Sequence, residues 1–306
     1  MNQYNHVALI GLGLLASSIS LAMRRAGMSA KITGTARSKA TRETALDLGL
    51  VDAVFESAAE AVQGADLVIL CVPVGVMGEI AEEIAPFLAE GCTITDVGSV
   101  KRAVVAAVGP HLPRNVHFVP GHPMAGTEKS GPESGFDSLF DNRWCLITPL
   151  PETNHAAVER LMEYWTALGA NVEMMEIDHH DLVASVISHA PHLIAYTMVG
   201  VADDMTRVTK TEVVNYSAAG FRDFTRIAAS DPTMWRDVFL NNKDATLEVL
   251  GRFTEELFAL QRAIRTGDGD FLFDYFTRTR AIRRNIVEAG QDTDAPDFGR
   301  VKPKES

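Results

Sequence analysis

A tight turn with two glycines separates a short apolar run from an apolar helical pattern near the start of the chain. The stretch reads Val7-Ala-Leu-Ile-Gly11-Leu-Gly13-Leu-Leu-Ala16. Gly11 permits the turn, Gly13 lets the backbone approach a pyrophosphate, and Ala16 stands where a third glycine is often found. The N-terminus of the following helix offers N–H donors and a positive dipole. Because many α/β proteins that bind no ligand also have such turns, the surrounding pattern decides what this one means.

The first half of the chain alternates short apolar runs with helical patterns. Buried strands are predicted at residues 6–10, 31–35, 67–72 and 93–96, two further strands at about 116–119 and 144–148, and an added edge strand at about 171–177. This alternation predicts a parallel sheet with helices on both faces. Together with the glycine turn, it predicts an α/β Rossmann-type dinucleotide-binding domain over residues 1–177.

From residue 178 onward, every long segment has helical periodicity. The first run, 178–203, should be kinked by Pro191, and Asp231 with Pro232 should cap a long helix that reaches about residue 265. A break at 267–269 precedes a last helix over about 270–289. We therefore predict an all-α C-terminal domain over residues 178–306, with a loose polar tail from about residue 290.

Composition excludes several classes of partner. The net charge is −12 and the pI is about 5.2, whereas nucleic-acid binding depends on clustered lysine and arginine. No apolar run approaches eighteen residues, and the first strand begins too early to leave room for a signal peptide. We therefore predict a cytoplasmic protein with no nucleic-acid or membrane partner. Its three cysteines, Cys71, Cys92 and Cys145, are predicted to be reduced core residues.

The end of the second predicted strand bears on which dinucleotide is bound. It reads Gly34-Thr35-Ala36-Arg37-Ser38, without the carboxylate that usually holds the ribose diol of NAD. Arg37 can instead pair with the 2′-phosphate of NADP, stack on the adenine, or point to solvent. NAD(P)+ is therefore the predicted cofactor, with Ala36 and Arg37 compatible with NADP and the choice left open. The predicted cofactor-binding residues are Gly11, Gly13, Leu14, Leu15, Arg37, Ser38, Val72 and Pro73.

Two loops follow buried strands at the edge where open α/β sheets bind ligands. One contains Pro73, and the other reads Asp96-Val-Gly98-Ser99-Val-Lys101. Ser99 can cap the helix that starts near Lys101, or it can contact a substrate. The two roles are compatible.

The most unusual segment is 121–131, Gly-His-Pro-Met-Ala-Gly-Thr-Glu-Lys-Ser-Gly. Its glycines and its proline argue against any regular element. A histidine at a strand end suits the acceptance of a proton from a substrate hydroxyl, because its unperturbed pKa lies near working pH. His122 can equally be a loop histidine that is hydrogen-bonded to the backbone.

Two later segments are as rich in polar groups. They are 188–192, Ser-His-Ala-Pro-His, and 220–236, Gly-Phe-Arg-Asp-Phe-Thr-Arg-Ile-Ala-Ala-Ser-Asp-Pro-Thr-Met-Trp-Arg. With the glycine turn, the 96–101 segment and the 121–131 loop, they resemble the prephenate and arogenate dehydrogenase family of tyrosine biosynthesis. The resemblance follows the same order over nearly the whole chain. Each motif alone is modest, but the combination is specific.

The resemblance implies an oxidative decarboxylation. A hydride passes from the ring carbon that bears the hydroxyl to the nicotinamide, the ring carboxylate leaves as carbon dioxide, and aromatisation drives the reaction. His122 would assist removal of the hydroxyl proton as a neutral imidazole, with Ser99 near the hydroxyl and the nicotinamide. Arg226 would bind a substrate carboxylate through its planar fork. The other implied pocket residues are Thr127, His192 and Trp235, with Glu128 and Asp223 as its gate.

Structural roles compete at three of these positions. Trp235 can be a core residue, Asp223 a turn residue, and Arg226 one half of a surface ion pair. These three assignments therefore depend on the family resemblance rather than on the residue types.

Two pairs of histidines allow other interpretations. His189 and His192 stand three apart, but no nearby carboxylate or cysteine completes a ligand set, so no metal is predicted. His179 and His180 come at a helix start, where we expect them to face solvent or to cap the helix.

Two other protein classes remain as alternatives. A β-hydroxyacid dehydrogenase or imine reductase also joins a Rossmann domain to a helical dimerisation domain. Asn241-Asn242-Lys243 is similar to a catalytic segment of the former, but the glycine-rich helix start of that segment is missing. A non-catalytic dinucleotide sensor would bind the cofactor without turnover.

Substrate choice and assembly follow from the resemblance alone. Prephenate and arogenate differ only in carrying a keto acid or an amino acid, and no residue discriminates between them. We expect prephenate, with arogenate or a broad cyclohexadienyl specificity as the alternative. The resemblance also implies a homodimer built through the helical domain, whose apolar faces exceed what one small domain needs. The chain has length for neither a fused chorismate mutase nor a regulatory domain, so a stand-alone dehydrogenase is expected.

Overall fold

Two sheets are present in the computed structural model, which describes residues 4–205 and 210–288. Their strands are β1 (His6–Ile10), β2 (Lys31–Thr35), β3 (Ala53–Phe55), β4 (Leu67–Leu70), β5 (Thr93–Asp96), β6 (His117–Phe118), β7 (Gly121–Pro123), β8 (Trp144–Ile147) and β9 (Asn171–Met174). The first six strands form a parallel sheet in the order β3-β2-β1-β4-β5-β6. The last three form a second sheet in the order β7-β8-β9.

Helices connect the strands and make up the rest of the fold. They are α1 (Leu14–Arg25), α2 (Lys39–Asp47), α3 (Ala58–Ala61), α4 (Met77–Ile84), α5 (Lys101–Val108), α6 (His155–Ala167), α7 (Ile177–Ala184), α8 (Ala190–Asp204), α9 (Lys210–Tyr216), α10 (Ala219–Thr225), α11 (Pro232–Asn241), α12 (Lys243–Thr266) and α13 (Gly269–Glu288). A π-helical segment, Ser185–His189, joins α7 to α8. An α/β part followed by a helical part confirms the predicted fold class.

The six-stranded sheet is buried on both faces because its central strands are apolar along their length. Val7 and Leu9 of β1 pack into one core cluster, and Ala8 and Ile10 pack into the other. This alternation is what the two-residue period of a strand requires. Helices on both faces therefore leave only the ends of the strands open to a ligand.

The sequence pattern does not predict β3 or β7, because each has only three residues. β7 lies within the 121–131 segment, where the expectation of no regular element is wrong for Gly121–Pro123. Pro123 fits this position because it ends an edge strand, where a missing N–H is tolerated. β8 and β9 are strands as predicted, but they belong to the second sheet, in which β8 pairs antiparallel with β7 and parallel with β9.

Each of the two longest helices predicted in the second half of the chain is interrupted in the structure. The π-helical segment Ser185–His189 lies just before Pro191, which cannot donate the N–H that an α-helix needs. The kink expected at Pro191 stays a prediction. Asp231 caps α11 as predicted, because its side chain accepts the N–H of Met234 at 2.8 Å. The prediction of one helix to about residue 265 is wrong at Asn242, whose backbone (φ −117°, ψ 42°) separates α11 from α12.

Contacts divide the chain into two units, residues 1–249 and 250–306. The first unit holds both sheets, α1 to α11 and the start of α12. The described part of the second unit consists of the rest of α12 and of α13, with Gly267 (φ +69°) at the predicted break. The predicted boundary at residues 177 and 178 stays a prediction, and the predicted tail from about residue 290 lies outside the described residues.

One helical stretch, Ile177–Asp204, is long and apolar enough to cross a membrane by length and composition. Its most apolar window has a mean hydropathy of 1.4 and is 28% buried. A core helix passes the same test, and this stretch carries the buried polar side chains of His180, Asp181 and His189. These side chains have hydrogen-bond partners elsewhere in the protein.

Candidate active site

The turn after β1 requires glycine at its first position. Gly11 has φ +99°, and its N–H donates to the carbonyl of Thr35 at 2.9 Å. A Cβ at this position would lie only 2.6 Å from the carbonyl oxygen of Cys71, at the end of the neighbouring strand β4. Backbone conformation and space therefore both exclude a side chain here.

The second glycine leaves an open space in front of α1. Nothing lies within 4 Å of where a Cβ of Gly13 would stand. Gly13 precedes α1 without a side-chain cap, and the first turn of the helix contains no acidic residue. The N–H groups of Leu14 and Leu15 are therefore available to an anion, and this arrangement fits the pyrophosphate of a dinucleotide.

The end of β2 gives Arg37 and Ser38 different surroundings. Arg37 is exposed, and the carbonyl of the preceding Ala36 accepts a hydrogen bond from Arg42 at 2.7 Å. Ser38 caps α2, because its hydroxyl accepts the N–H of Thr41 at 3.0 Å. The predicted cofactor contacts of Arg37 and Ser38 stay predictions, and Ser38 has a structural role as well.

The loop after β4 lies against α11, the helix that begins within the 220–236 segment. Val72 is half-buried and Pro73 is exposed, and a short 3-10 turn, Val74–Val76, follows them. A Cβ on Gly75 would lie 2.8 Å from Oδ2 of Asp237 in α11. The predicted cofactor residues Val72 and Pro73 therefore lie near α11.

A buried ion pair organises the ends of β5 and β7. The side chains of Asp96 and Lys101 have no exposed surface and are bonded to each other. Lys101 Nζ also donates to the carbonyl of Gly121 at 2.7 Å, and Asp96 Oδ1 accepts the N–H of Gly121 at 3.2 Å. Burial lowers the pKa of Lys101, and Asp96 opposes that effect. The pair thus fixes the residue before His122 to the loop that carries Ser99.

His122 is buried beside a second histidine. Only 7% of His122 is exposed, and its Nδ1 lies 2.8 Å from Nε2 of His180. The two rings meet edge to face, with centroids 5.1 Å apart. Burial, reinforced by His180 and Lys101, lowers the pKa of His122 well below its usual 6.5. His122 is therefore neutral at working pH, and its ring is bonded to a side chain rather than to the backbone.

The prediction that His180 faces solvent or caps a helix is wrong. His180 has no exposed surface, whereas the neighbouring His179 is exposed. The cap of α7 is Glu176, whose Oε2 accepts the N–H of His179 at 2.9 Å. The helical spacing of these residues in the sequence could have predicted one buried face. That face carries His180, Asp181, Ala184, Ser185 and His189.

Ser99 lies half-buried in the loop between β5 and α5. Its predicted capping role is wrong, because the N-cap of α5 is Val100 and no side chain of that residue caps the helix. The N–H groups of Lys101 and Arg102 donate instead to the two carboxylate oxygens of Asp181, at 2.7 and 3.0 Å. The hydroxyl of Ser99 is therefore not used at the helix end.

A third buried histidine, His189, is held by Asn242. The side-chain amide of Asn242 lies 3.0 Å from Nδ1 of His189, 3.0 Å from the hydroxyl of Ser185 and 2.8 Å from the carbonyl of Asp181. Burial lowers the pKa of His189 to about 4. These contacts account for Asn242 without the catalytic role that a β-hydroxyacid dehydrogenase would give its segment.

An exposed ion pair joins the 121–131 loop to the 220–236 segment. Arg226 Nη1 lies 2.9 Å from Oε2 of Glu128, and the two side chains are 54% and 34% exposed. A bond from its own backbone N–H, together with Arg226, lowers the pKa of Glu128. Thr127 is exposed, and its hydroxyl accepts the N–H of Lys129 at 3.2 Å. Arg226 therefore does form the surface ion pair that its structural interpretation predicts.

His192 stacks on Trp235, with ring centroids 3.7 Å apart and planes 24° apart. Nδ1 of His192 donates to the carbonyl of Ser188 at 2.8 Å, so Nε2 is left as an acceptor. Trp235 is 6% exposed and packs with Val100, so it is a core residue that also holds His192. Asp223 lies half-buried in α10.

Cysteines and metal ligands add no further site. Cys71, Cys92 and Cys145 are free thiols, of which Cys92 and Cys145 are buried as predicted and Cys71 is half-buried. Burial raises the pKa of Cys92 to about 12. Within residues 4–205 and 210–288, no group of three or more histidine, cysteine, aspartate or glutamate residues is arranged to hold a metal ion.

Comparison with known proteins gives the same family along the chain. The model of the prephenate dehydrogenase nucleotide-binding domain matches residues 19–174, and that of the prephenate dehydrogenase dimerization domain matches residues 176–278. A cyclohexadienyl dehydrogenase from Zymomonas mobilis subsp. mobilis is 39% identical over 283 residues, which cover 92% of this chain and 96% of the relative. A prephenate dehydrogenase from Bacillus subtilis is 36% identical, covering 94% of this chain and 77% of the relative.

A solved structure extends this likeness to three dimensions. The prephenate dehydrogenase from A. aeolicus, in complex with hydroxyphenyl propionate and NAD+, has a TM-score of 0.84 and 33% identity, covering 93% of this chain and 99% of that one. The named relatives are dehydrogenases, which argues against a non-catalytic sensor. The chain is an oxidoreductase with a nicotinamide dinucleotide as its cofactor, and it belongs to the prephenate dehydrogenase family.

Proposed function

We propose that the protein is a prephenate dehydrogenase of tyrosine biosynthesis, which converts prephenate to 4-hydroxyphenylpyruvate with hydride transfer to NAD(P)+. One observation carries the proposal. A neutral, buried His122 is fixed through Gly121 to the loop of Ser99, at the carboxyl end of the parallel sheet. The relative with 39% identity is named for the wider cyclohexadienyl class. Arogenate, or both substrates, is therefore the second candidate.

His122 acts as the base. It accepts the proton of the ring hydroxyl while the hydride leaves the carbon that bears this hydroxyl, and its low pKa keeps the imidazole unprotonated for that step. Ser99 is the second polar group beside the hydroxyl. The nicotinamide supplies the hydride acceptor when it is bound. The ring carboxylate leaves as carbon dioxide, and the aromatic ring that results drives the reaction.

The dinucleotide is held mainly by backbone groups. Gly11 and Gly13 shape the turn, and the first N–H groups of α1, from Leu14 and Leu15, meet the pyrophosphate. Val72 and Pro73 border the cofactor at the end of β4. Arg37 and Ser38 meet the adenosine end, where Ala36 and Arg37 also allow a 2′-phosphate.

The substrate side chain is bound by Arg226, which forms an exposed ion pair with Glu128 in the free protein. Arg226 exchanges Glu128 for a substrate carboxylate, which its planar guanidinium can bind through two parallel hydrogen bonds. Glu128 and Asp223 act as the gate of the pocket. Thr127, His192 and Trp235 line it.

We also propose that a second copy of the chain covers the helices of residues 250–288. Large apolar side chains there are at least 40% exposed: Phe253, Leu257, Phe258, Ile264, Phe271, Phe273, Phe276, Ile282 and Ile286. Such density is typical of an interaction surface rather than of scattered surface residues. The matching family model is described as a dimerization domain. Light scattering after gel filtration should give twice the 33.2 kDa of one chain, and a monomer would remove this proposal.

Cytoplasmic localisation and the absence of nucleic-acid and membrane partners remain part of the proposal. They rest on the acidic composition and on the small, charged substrate that the site would take. Fractionation of cells that express the protein tests the first of these, with recovery in the membrane fraction as the contrary result.

The experiment that tests the function is a matrix of substrates and cofactors. Purified protein is given prephenate or arogenate with NAD+ or NADP+, and reduced cofactor and aromatic product are measured. A higher kcat/KM for prephenate supports the first candidate, and a higher value for arogenate replaces it with the second. No turnover with either substrate overturns both. Arg37→Ala in the same matrix should lose NADP use selectively if Arg37 binds the 2′-phosphate.

A further inference from the structure

We propose that His180, oriented by Asp181, is a positioning residue that fixes the proton of His122 on Nδ1 and so keeps Nε2 of His122 free as the base. The catalytic meaning of this inference rests on the proposed function. Its structural content is a statement about which nitrogen carries a proton, and that can be measured without substrate.

The carboxylate of Asp181 can only accept hydrogen bonds when it is ionised. It accepts the N–H groups of Lys101 and Arg102 at 2.7 and 3.0 Å, and its Oδ1 lies 2.8 Å from Nδ1 of His180. Although burial acts in the opposite direction, the bonds from His180 and from these two N–H groups lower the pKa of Asp181. The proton between Asp181 and His180 therefore lies on Nδ1 of His180.

The chain of hydrogen bonds continues from His180 to His122. For a neutral His180, which has one N–H and one lone pair, the lone pair is on Nε2. That atom lies 2.8 Å from Nδ1 of His122, which must supply the proton of this bond. The lone pair of neutral His122 is then on Nε2, for which the structure gives no hydrogen-bond partner among the described residues. Nε2 of His122 can therefore accept a proton but has none to donate.

Asp181 also positions the second polar group of the site. By accepting the first two N–H groups of α5, it anchors the helix that begins just after Ser99. Asp181 is 5% exposed and His180 has no exposed surface, so water cannot easily replace either contact. One carboxylate therefore sets both the tautomer of His122 and the start of the helix that follows Ser99.

The first test reads the tautomer directly. Nitrogen NMR of substrate-free protein with labelled histidine distinguishes a protonated from an unprotonated ring nitrogen, and the spectrum of His122→Asn identifies the signals of His122. We expect a proton on Nδ1 and none on Nε2 at neutral pH. A proton on Nε2 would overturn the inference, whatever the activity of the enzyme.

The second test compares two replacements of His180. Phe keeps a ring but removes the acceptor, so His122 should move its proton to Nε2 rather than leave a buried donor unpaired. The kcat should then fall toward the loss of about 10²–10⁴-fold expected when a general base is removed, with little change in KM. Gln offers a carbonyl oxygen near the position of Nε2, so His180→Gln should keep the tautomer and recover much of kcat.

A matched control and a folding check accompany these variants. His179→Phe makes the same change on the exposed neighbour and should leave kcat and the spectrum of His122 unchanged. Cofactor binding and thermal unfolding report whether His180→Phe is folded, and the wild-type spectrum decides the matter if it is not. A folded His180→Phe with normal kcat and an unchanged tautomer would overturn the inference.

Failure of the proposed function would look different. A wild-type protein with the expected tautomer that turns over neither prephenate nor arogenate would remove the function and still support the structural assignment. Turnover with the opposite tautomer would do the reverse.

Discussion

Arg226 Nη1 lies 2.9 Å from Oε2 of Glu128, although the two residues are 98 positions apart in the sequence. The contact joins the 121–131 loop to the 220–236 segment at the surface. Because both side chains are partly exposed, the pair adds little to stability. Arg226 can therefore leave Glu128 for a substrate carboxylate without a large penalty.

Replacing Arg226 with Ala should mainly weaken substrate binding. Loss of a hydrogen-bonded contact to a charged group corresponds to roughly 1.5–3 kcal/mol, or a KM raised about 10- to 150-fold. Steady-state kinetics measures this. Arg222→Ala, one helical turn earlier and also exposed, serves as the matched control and should change neither constant. A fall in kcat with KM unchanged would contradict the binding role of Arg226.

The two glycines of the first turn should respond differently to alanine. Gly11→Ala brings a Cβ to 2.6 Å from the Cys71 carbonyl at φ +99°, so we expect a loss of unfolding free energy of about 1–3 kcal/mol. Gly13→Ala meets nothing within 4 Å and should fold normally, but its Cβ occupies the space assigned to the pyrophosphate. Calorimetry should therefore find weaker cofactor binding at unchanged thermal stability. Normal cofactor affinity in Gly13→Ala would contradict this assignment.

The acidic limb of the pH–rate profile should lie below the ordinary range of histidine. Burial, His180, Lys101 and His189 together lower the pKa of His122 well below 6.5. The neutral form, which accepts the proton, is present above that pKa, so kcat/KM should hold from neutral pH to below 6.5 and fall only in more acidic solution. A limb at or above pH 6.5 would be inconsistent with a buried, neutral His122.

Stability should depend on pH through His189. Burial lowers its pKa from 6.5 in the unfolded chain to about 4 in the folded one. Since the unfolded state then binds more protons, the unfolding free energy is highest above pH 6.5 and falls between pH 6.5 and 4, by on the order of 3 kcal/mol. Urea titrations at several pH values measure the slope. His189→Gln, which keeps a polar group beside Asn242, should flatten it, and an unchanged slope would count against His189.

Much of the fold follows from local pattern. Apolar runs of four residues identify β1 and β4, because both faces of a parallel strand are buried, and the β-branched residues of Lys-Ile-Thr-Gly-Thr and Thr-Ile-Thr-Asp mark β2 and β5. β3 and β7 have three residues each, too few for a period to be read. The second sheet depends on the pairing of Gly121 with Ile147, a contact that no local pattern encodes.

Less of the site than of the fold can be predicted from the sequence. His122 and Gly11 lie in recognisable motifs, and their side chain or backbone alone suggests a role. His180 differs, because its meaning comes from His122, 58 positions away, and from Asp181, whose carboxylate reaches α5. Asn242 likewise lies between two helices, and its amide bonds to Asp181, Ser185 and His189, which are more than 50 positions away in the sequence.

The most direct test of the central claim is a single-turnover measurement of hydride transfer from prephenate in the wild-type protein and in His122→Asn. Asn can still form a hydrogen bond but cannot take the hydroxyl proton, so the rate should fall by about 10²–10⁴-fold while the affinity for prephenate and NAD+ changes little. Equal rates in the two proteins would contradict the role of His122 as the base.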